Sequence, residues 1–293
     1  MIRNKRRKYN EWLTAYTFLL PDVAGLTLFV FVPIVYALYI SLFDWNLLSP
    51  KVFIGLDNYA QMLKDSDWWK SLQRTFVFAL IYVPLLFISS LLFAVLLSNL
   101  KGMWVGTIRT FYLMPFAITS VISAVIWMFL LDPRGGFANK ILGWIGVEAQ
   151  PFLASTAQAL PTIVMVLIWI NLGYNMTIFL ASIKDIPPDY YEAARMDGAT
   201  SREAFQYITF PLLRSISIFI LIVTTIGSFQ VFDQIKVMTG GGPANSTEVS
   251  VLYLYKQGFQ LLNMGYTSAL ATTLFLIIFV LSITQLKLFS GKE

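Results

Sequence analysis

The side chains best suited to chemistry lie in residues 189–203, and the chemistry they suit is docking rather than bond breaking. Tyr190-Tyr191-Glu192-Ala193-Ala194-Arg195-Met196-Asp197-Gly198-Ala199 is a polar, punctuated stretch in an otherwise apolar chain. Asp189 can cap a helix with Glu192 as its reciprocal partner three residues on, and Thr200-Ser201-Arg202-Glu203 repeats that spacing. Gly198 suits the left-handed residue that ends a helix. The spacing therefore predicts a short helix from about Tyr190, a sharp turn at Gly198-Ala199, and a second helix from Ser201 towards Pro211. Glu192 can hold a cap or pair with a basic group across an interface, while Ala193 and Ala194 permit close approach. An ordinary amphipathic loop is the plain alternative.

Catalytic sets are hard to assemble from the rest. The chain has no histidine and no cysteine, which removes the commonest general base, the commonest zinc ligand, thiolate metal sites and disulfides. No G-x-x-x-x-G-K-[ST] phosphate loop occurs, so the expectation is no cofactor on this chain.

The elements that must position the docking stretch are membrane spans. Of 293 residues, 57% are hydrophobic and only 13% charged, too few charges to cover a water-soluble domain of this size. Apolar runs at about Phe18–Phe43, Phe76–Ser98, Phe111–Leu131, Leu160–Ile183, Leu212–Asp233 and Tyr266–Phe289 each approach the ~20 residues a bilayer core demands. The expected fold is an all-α membrane protein. Six transmembrane helices span residues 13–293, and residues 184–212 form a cytoplasmic helix-turn-helix coupling loop. Residues 1–12 form a cytoplasmic basic N-terminus, because Arg3, Lys5, Arg6, Arg7 and Lys8 precede the first span. That span is too long for a signal-peptide core and is read as a retained anchor, with Asp22 beside Pro21 as a helix cap.

With the N-terminus inside, Lys101 and Arg109, then Lys184, Arg195, Arg202 and Arg214, then Lys287 and Lys292 all fall on the cytoplasmic side. Both termini are then cytoplasmic, and the +5 net charge belongs to membrane orientation rather than nucleic-acid binding. The segment from Asp44 to Arg74, rich in Trp and Tyr, is expected outside. Pro84, Pro115 and Pro161 fall inside or at the mouths of spans, where broken helices lining a path are expected, although kinked packing helices would use the same prolines.

Glu192-Ala193-Ala194, Asp197-Gly198-Ala199, Ile208 and Pro211 resemble the EAA loop of bacterial ATP-binding-cassette importer permeases. Phe210 stands where that pattern prefers leucine. Phe53-Ile54-Gly55-Leu56-Asp57-Asn58-Tyr59 and the later Thr239-Gly240-Gly241-Gly242-Pro243 resemble, in the same order, elements of the first permease subunit of carbohydrate importers of the maltose, lactose and glycerol-phosphate type. The resemblance implies a bacterial inner-membrane permease working by alternating access. Its partners would be a second homologous permease subunit, two cytoplasmic ATPase subunits, an extracytoplasmic solute-binding protein and membrane lipid. The ATPase-coupling residues carried over are Tyr190, Glu192, Ala193, Ala194, Asp197 and Gly198.

Position relative to these motifs maps a sugar path onto Phe116, Ser120, Leu172, Gly173, Met176, Thr224, Gly227, Ser228 and Val231. Met176 and Val231 are apolar where the maltose-type site is polar or aromatic, which argues against maltose itself. Asn171, Asn175 and Gln230 nearby add neutral hydrogen-bonding groups, and Tyr174 adds a stacking face. The competing role for these groups is to join helices. A proton- or sodium-coupled secondary transporter is the alternative function, and it would place ionisable groups deep in the spans, whereas Asp22 and Asp233 lie near span ends. A membrane-embedded enzyme lacks a convergent acid, base or metal set.

Overall fold

The computed structural model describes residues 2–100 and 103–289. Lys101 and Lys292, both assigned above to the cytoplasmic side, lie outside the described residues, as does Met1. The described residues divide between two compact units, one within Met1–Asp65 with Leu254–Phe275 and the other within Ser66–Tyr253 with Leu276–Glu293.

In the first unit, α1 (Ile2–Leu26) passes through a π-helical turn, Thr27–Phe31, into α2 (Val32–Ile40). The start of α1 at Ile2 overturns the capping role expected of Asp22. That residue and Pro21 sit well inside a continuous helix, so there are no unpaired first-turn N–H groups for its carboxylate to accept. After α2 come two short antiparallel strands, β1 (Phe43–Asp44) and β2 (Val52–Phe53), and then α3 (Asp57–Lys64). The corner is held by the string Gly55-Leu56-Asp57-Asn58-Tyr59. Buried Asn58 donates from Nδ2 to the carbonyls of Ser41 and Phe43, 2.9 Å each, and the Tyr59 hydroxyl pairs with Ser41 Oγ at 2.8 Å. Asn58 thus satisfies two main-chain carbonyls of the corner, and Tyr59 ties down the Ser41 hydroxyl beside them.

In the second unit, α4 (Ser66–Ser98) begins ten residues before the apolar run expected at Phe76 and continues through Pro84 without a break. The third expected span is two helices, α5 (Met103–Ala117) and α6 (Ser120–Leu130), bent by 99° at Ile118–Thr119. Pro115 stands two residues before α5 ends. Next come α7 (Phe137–Trp144), α8 (Ala159–Lys184), α9 (Pro188–Met196), α10 (Ser201–Ala204), α11 (Phe210–Leu212), α12 (Arg214–Phe229), α13 (Asp233–Met238) and α14 (Ser250–Tyr255). The final helix is α15 (Met264–Phe289), and both it and α14 are divided between the two units, Leu254–Tyr255 and Met264–Phe275 belonging to the first. Pro161 occupies the first turn of α8, where its missing N–H costs nothing, so it ends no span.

Among the described residues, five helices are long and apolar enough to cross a membrane, or six if the bent α5–α6 pair is one span. The core of the second unit lies between α4, α8 and α12, where Leu91, Ala94, Leu97, Met176, Phe179 and Ile220 interlock. At Gly173, α8 meets α5 so closely that a Cβ would collide with the Tyr112 backbone, the close approach that small residues permit between membrane helices. The Thr-Gly-Gly-Gly-Pro turn is closed by its threonines: Thr239 Oγ1 and Thr247 Oγ1 lie 2.7 Å apart, and Thr247 Oγ1 also donates to the Gly242 carbonyl at 2.9 Å.

Candidate functional site

Two places in the second unit draw the expected site residues together: the knob between α8 and α12, and a cavity walled by α4, α5, α8, α12 and the start of α13.

The knob starts at Pro188, two residues before the helix start expected from the sequence, and the expected Asp189–Glu192 capping box is absent. Pro188 sets the first helical φ and lacks the N–H that would need a cap, so Pro187 becomes the N-cap residue and makes no side-chain cap bond. Asp189 instead lies in the first turn, where its charge suits the positive helix end. The C-terminus follows the expectation. Gly198 has φ +82°, its N–H donates to the Arg195 carbonyl at 3.1 Å, and the Ala199 N–H donates to Ala194 at 2.9 Å. This is the paired closure of a Schellman motif.

The second capping box is present in full. Glu203 N–H donates to Thr200 Oγ1 at 3.3 Å, and the Thr200 N–H donates back to Glu203 Oε2 at 2.8 Å. That backbone donor, and then the Thr200 hydroxyl at 2.7 Å, hold the Glu203 carboxyl below its ordinary value of 4.5. Past α10 the chain winds through a π-helical turn, Phe205–Thr209. The turn is tied back to α9 where Tyr191 Oη meets Thr209 Oγ1 at 2.9 Å. The result is a closed helix-turn-helix.

Tyr190 and Met196 are exposed on its surface, Met196 at 88%. Glu192, Ala193, Asp197 and Gly198 are exposed as well, and Ala194 is half-buried. Among the described residues Glu192 makes no hydrogen bond or ion pair, so both carboxylate oxygens remain available to an outside donor.

The cavity has a volume of about 430 Å³. Five of the nine expected path residues line it: Phe116, Thr224, Gly227, Ser228 and Val231. Phe116 stacks on Tyr174 with ring centroids 4.6 Å apart and planes 12° from parallel. Asn171, Asn175 and Gln230 also reach the lining. Ser228 is 1% exposed and donates to the Thr225 carbonyl at 2.7 Å, so its hydroxyl is engaged within its own helix.

Four expected residues lie elsewhere. Ser120 opens α6 beyond the bend, outside the lining. Leu172 is buried, Gly173 is pressed against α5, and Met176 is fully enclosed in the core between α4, α8 and α12. The physical reason is helical phase: on α8 the cavity face is the one carrying Leu167, Asn171, Tyr174 and Asn175, and residues 172, 173 and 176 point away from it into neighbouring helices.

The structure adds eight lining residues that the sequence reading missed, among them Phe78, Tyr82, Asp233 and Gln234. Phe78 and Tyr82, stacked at 5.4 Å, stand four residues apart, and Leu86 follows at the same interval. A tyrosine hydroxyl in the middle of an apolar run, on such a stripe, is the signal that could have found them. Asp233 and Gln234 enter because the fifth apolar run breaks at Gln230–Phe232, where Phe232 takes φ −142° and ψ −60°. No proline causes that break. Backbone freed from helical pairing at such a depth is tolerated where it lines a cavity.

The chain matches known proteins in sequence and in fold. Residues 52–289 match the family described as "Binding-protein-dependent transport system inner membrane component". The chain is 36% identical over 283 residues to the probable ABC transporter permease protein YurN of Bacillus subtilis, covering 95% of this chain and 97% of that one. It is 35% identical over 282 residues to the trehalose/maltose transport system permease protein MalF of Thermococcus litoralis, covering 96% and 95%. Among solved structures, a bacterial ABC transporter involved in the import of the acidic polysaccharide alginate shares the fold. Its TM-score is 0.85 at 22% identity, with 98% of each chain covered.

Proposed function

The chain belongs to the family of binding-protein-dependent transport system inner membrane components, and from that premise we propose that it is one of two permease subunits of an ATP-driven importer for a sugar or oligosaccharide. Relatives named for trehalose and maltose, arabinooligosaccharides and lactose support the substrate class. A cavity with neutral amides and a stacked aromatic pair suits sugar rings and hydroxyls.

The carrying observation is the knob. Two local devices, the Schellman closure at Gly198 and the Thr200–Glu203 box, make it rigid, while Tyr190, Met196 and the unpaired Glu192 face outward. In this reading the knob lies in the cytoplasm and seats in a separate ATPase chain, which holds ATP and Mg. Glu192 pairs there with a basic group of the ATPase. When two ATPase subunits close, the knob moves as a body, and the α8–α12 pair opens the cavity outward to a solute-binding protein. Both termini are cytoplasmic.

The test is co-purification from the native membrane through a tag on this chain, with Glu192→Lys alongside. Recovery of an ATPase with wild type, and uncoupling of ATP hydrolysis from uptake in the variant despite normal membrane insertion, is the expected result. Solitary uptake without any ATPase would overturn the reading in favour of a secondary transporter.

A further inference from the structure

The charge of the cavity lining narrows the substrate further than the proposed function does. Among the described residues that line the cavity, none is basic and one, Asp233, is acidic. Lys236, one turn further along α13, is not part of the lining. Asn171 Nδ2 donates to the Leu167 carbonyl at 2.9 Å and Asn175 Nδ2 to the Asn171 carbonyl at 3.1 Å. Each amide therefore has one of its two N–H donors engaged by its own helix, and keeps one N–H donor and its Oδ1 acceptor. The polar part of the wall thus offers neutral donors and acceptors and, in Asp233, one negative charge, with no cationic donor among the described lining residues.

Sugar hydroxyls can donate to such a wall, and apolar ring faces can stack on the Phe116–Tyr174 pair. A carboxylate or phosphate has nothing to donate, loses its hydration on entry and meets a like charge. From this we infer that the site takes uncharged saccharides and discriminates against uronate oligomers and sugar phosphates, with Asp233 as the specificity-determining residue. The inference rests on the sugar reading above. It also separates this chain from the solved alginate importer that shares its fold, whose substrate is acidic.

Asp233 has one structural claim on its position, as the acid in the first turn of α13. The test must therefore read a ratio rather than a loss. The assembled importer in nanodiscs is titrated by calorimetry with neutral probes, maltotetraose, cellotetraose and arabinotriose, and with acidic probes, tetragalacturonate and tetramannuronate. Wild type is expected to bind at least one neutral probe and to bind both uronates at least tenfold more weakly. Asp233→Asn is expected to raise the uronate-to-neutral affinity ratio by about tenfold, as removal of one like charge at partly hydrated range implies, and Gln230→Lys is expected to raise it further. A purely structural Asp233 would lower both affinities together and leave the ratio unchanged, which would overturn the assignment. Equal or tighter uronate binding by wild type would overturn the charge rule while leaving sugar import standing, whereas failure of every saccharide to bind would remove the sugar reading and the rule with it.

Discussion

Replacing Gly198 in two ways separates the turn's geometry from its glycine. At φ +82° an L-residue is strained, but a Cβ added there meets no heavy atom within 4 Å. Alanine therefore incurs only the left-handed penalty, about 1–2 kcal/mol, with no steric collision. Proline is different in kind. Its ring holds φ near −65°, some 150° from the observed value, and it deletes the N–H that donates to Arg195 at 3.1 Å, so one of the two closing bonds of α9 goes with it. A disruption of about 3 kcal/mol or more, about double the alanine penalty, is enough to melt the end of a nine-residue helix that has no N-terminal side-chain cap. Gly198→Ala should therefore keep most coupled transport and Gly198→Pro should lose it, both inserting normally. The assay is substrate uptake by the reconstituted complex in proteoliposomes, alongside ATP hydrolysis stimulated by the solute-binding protein. Wild-type uptake by Gly198→Pro would refute the rigid-knob argument, and an alanine variant as crippled as the proline one would show that strain is not what sets the difference.

Three further outcomes follow from named contacts. Gly173→Ala drives a Cβ into the Tyr112 backbone, an overpacking of about 1–3 kcal/mol, and should lower the thermal unfolding midpoint in detergent; Gly227→Ala, with nothing within 4 Å of its Cβ, should not. Met176→Ala empties a fully enclosed site in the core and should destabilise by about 2–5 kcal/mol. Binding titrations should show an unchanged preference among saccharides, since Met176 does not line the cavity. The Glu203 carboxyl is depressed in the folded chain, so its contribution to the α10 cap is complete above its ordinary value of 4.5 and is lost as pH falls through the depressed one. The protection of the Thr200 amide, taken relative to its intrinsic exchange rate, should be present at neutral pH and be lost only in acid below the ordinary carboxyl value, and Glu203→Gln should remove this pH dependence.

What could be read from sequence was set by local chemistry. Gly198 was legible because its position after a helical run calls for a left-handed residue, and the Thr200–Glu203 box because its two side chains need only each other's main chain. The matching Asp189–Glu192 spacing misled because Pro188 competes for the same helix start and wins by presetting φ. Asn58 and Tyr59 stood in a string noticed only by resemblance, and their function in tying down the Ser41–Phe43 corner depends on contacts more than fifteen residues distant in sequence or close to it. Leu172, Gly173 and Met176 fall outside the cavity lining for a related reason. Nothing in residues 172, 173 and 176 themselves tells which side of α8 faces α4 and α5, because a helix that is apolar all round carries no phase signal. Tyr82 and Asp233 were missed because one needed the stripe Phe78–Tyr82–Leu86 to be recognised and the other needed a helix break that no proline marks.

The position of Met176 in the core also bears on what that part of α8 does. From Asn175 at the cavity to Lys184 beside the knob, α8 runs about 14 Å, and from Arg214 to Thr224, α12 runs about 15 Å back. Between these ends Met176, Phe179, Leu180 and Ile183 of α8 share one closed core with Leu213 and Ile220. Interiors packed to that degree transmit displacement rather than absorb it. In the importer reading the two rods would act as one lever arm, with the knob at one end and the cavity at the other. The break at Gln230–Phe232 comes just beyond these rods, where α12 gives way to α13. In the importer reading, α8 side chains that miss the cavity serve transport by keeping that arm stiff, and the residues past the break are the ones whose position relative to a bound sugar changes when the knob is pulled.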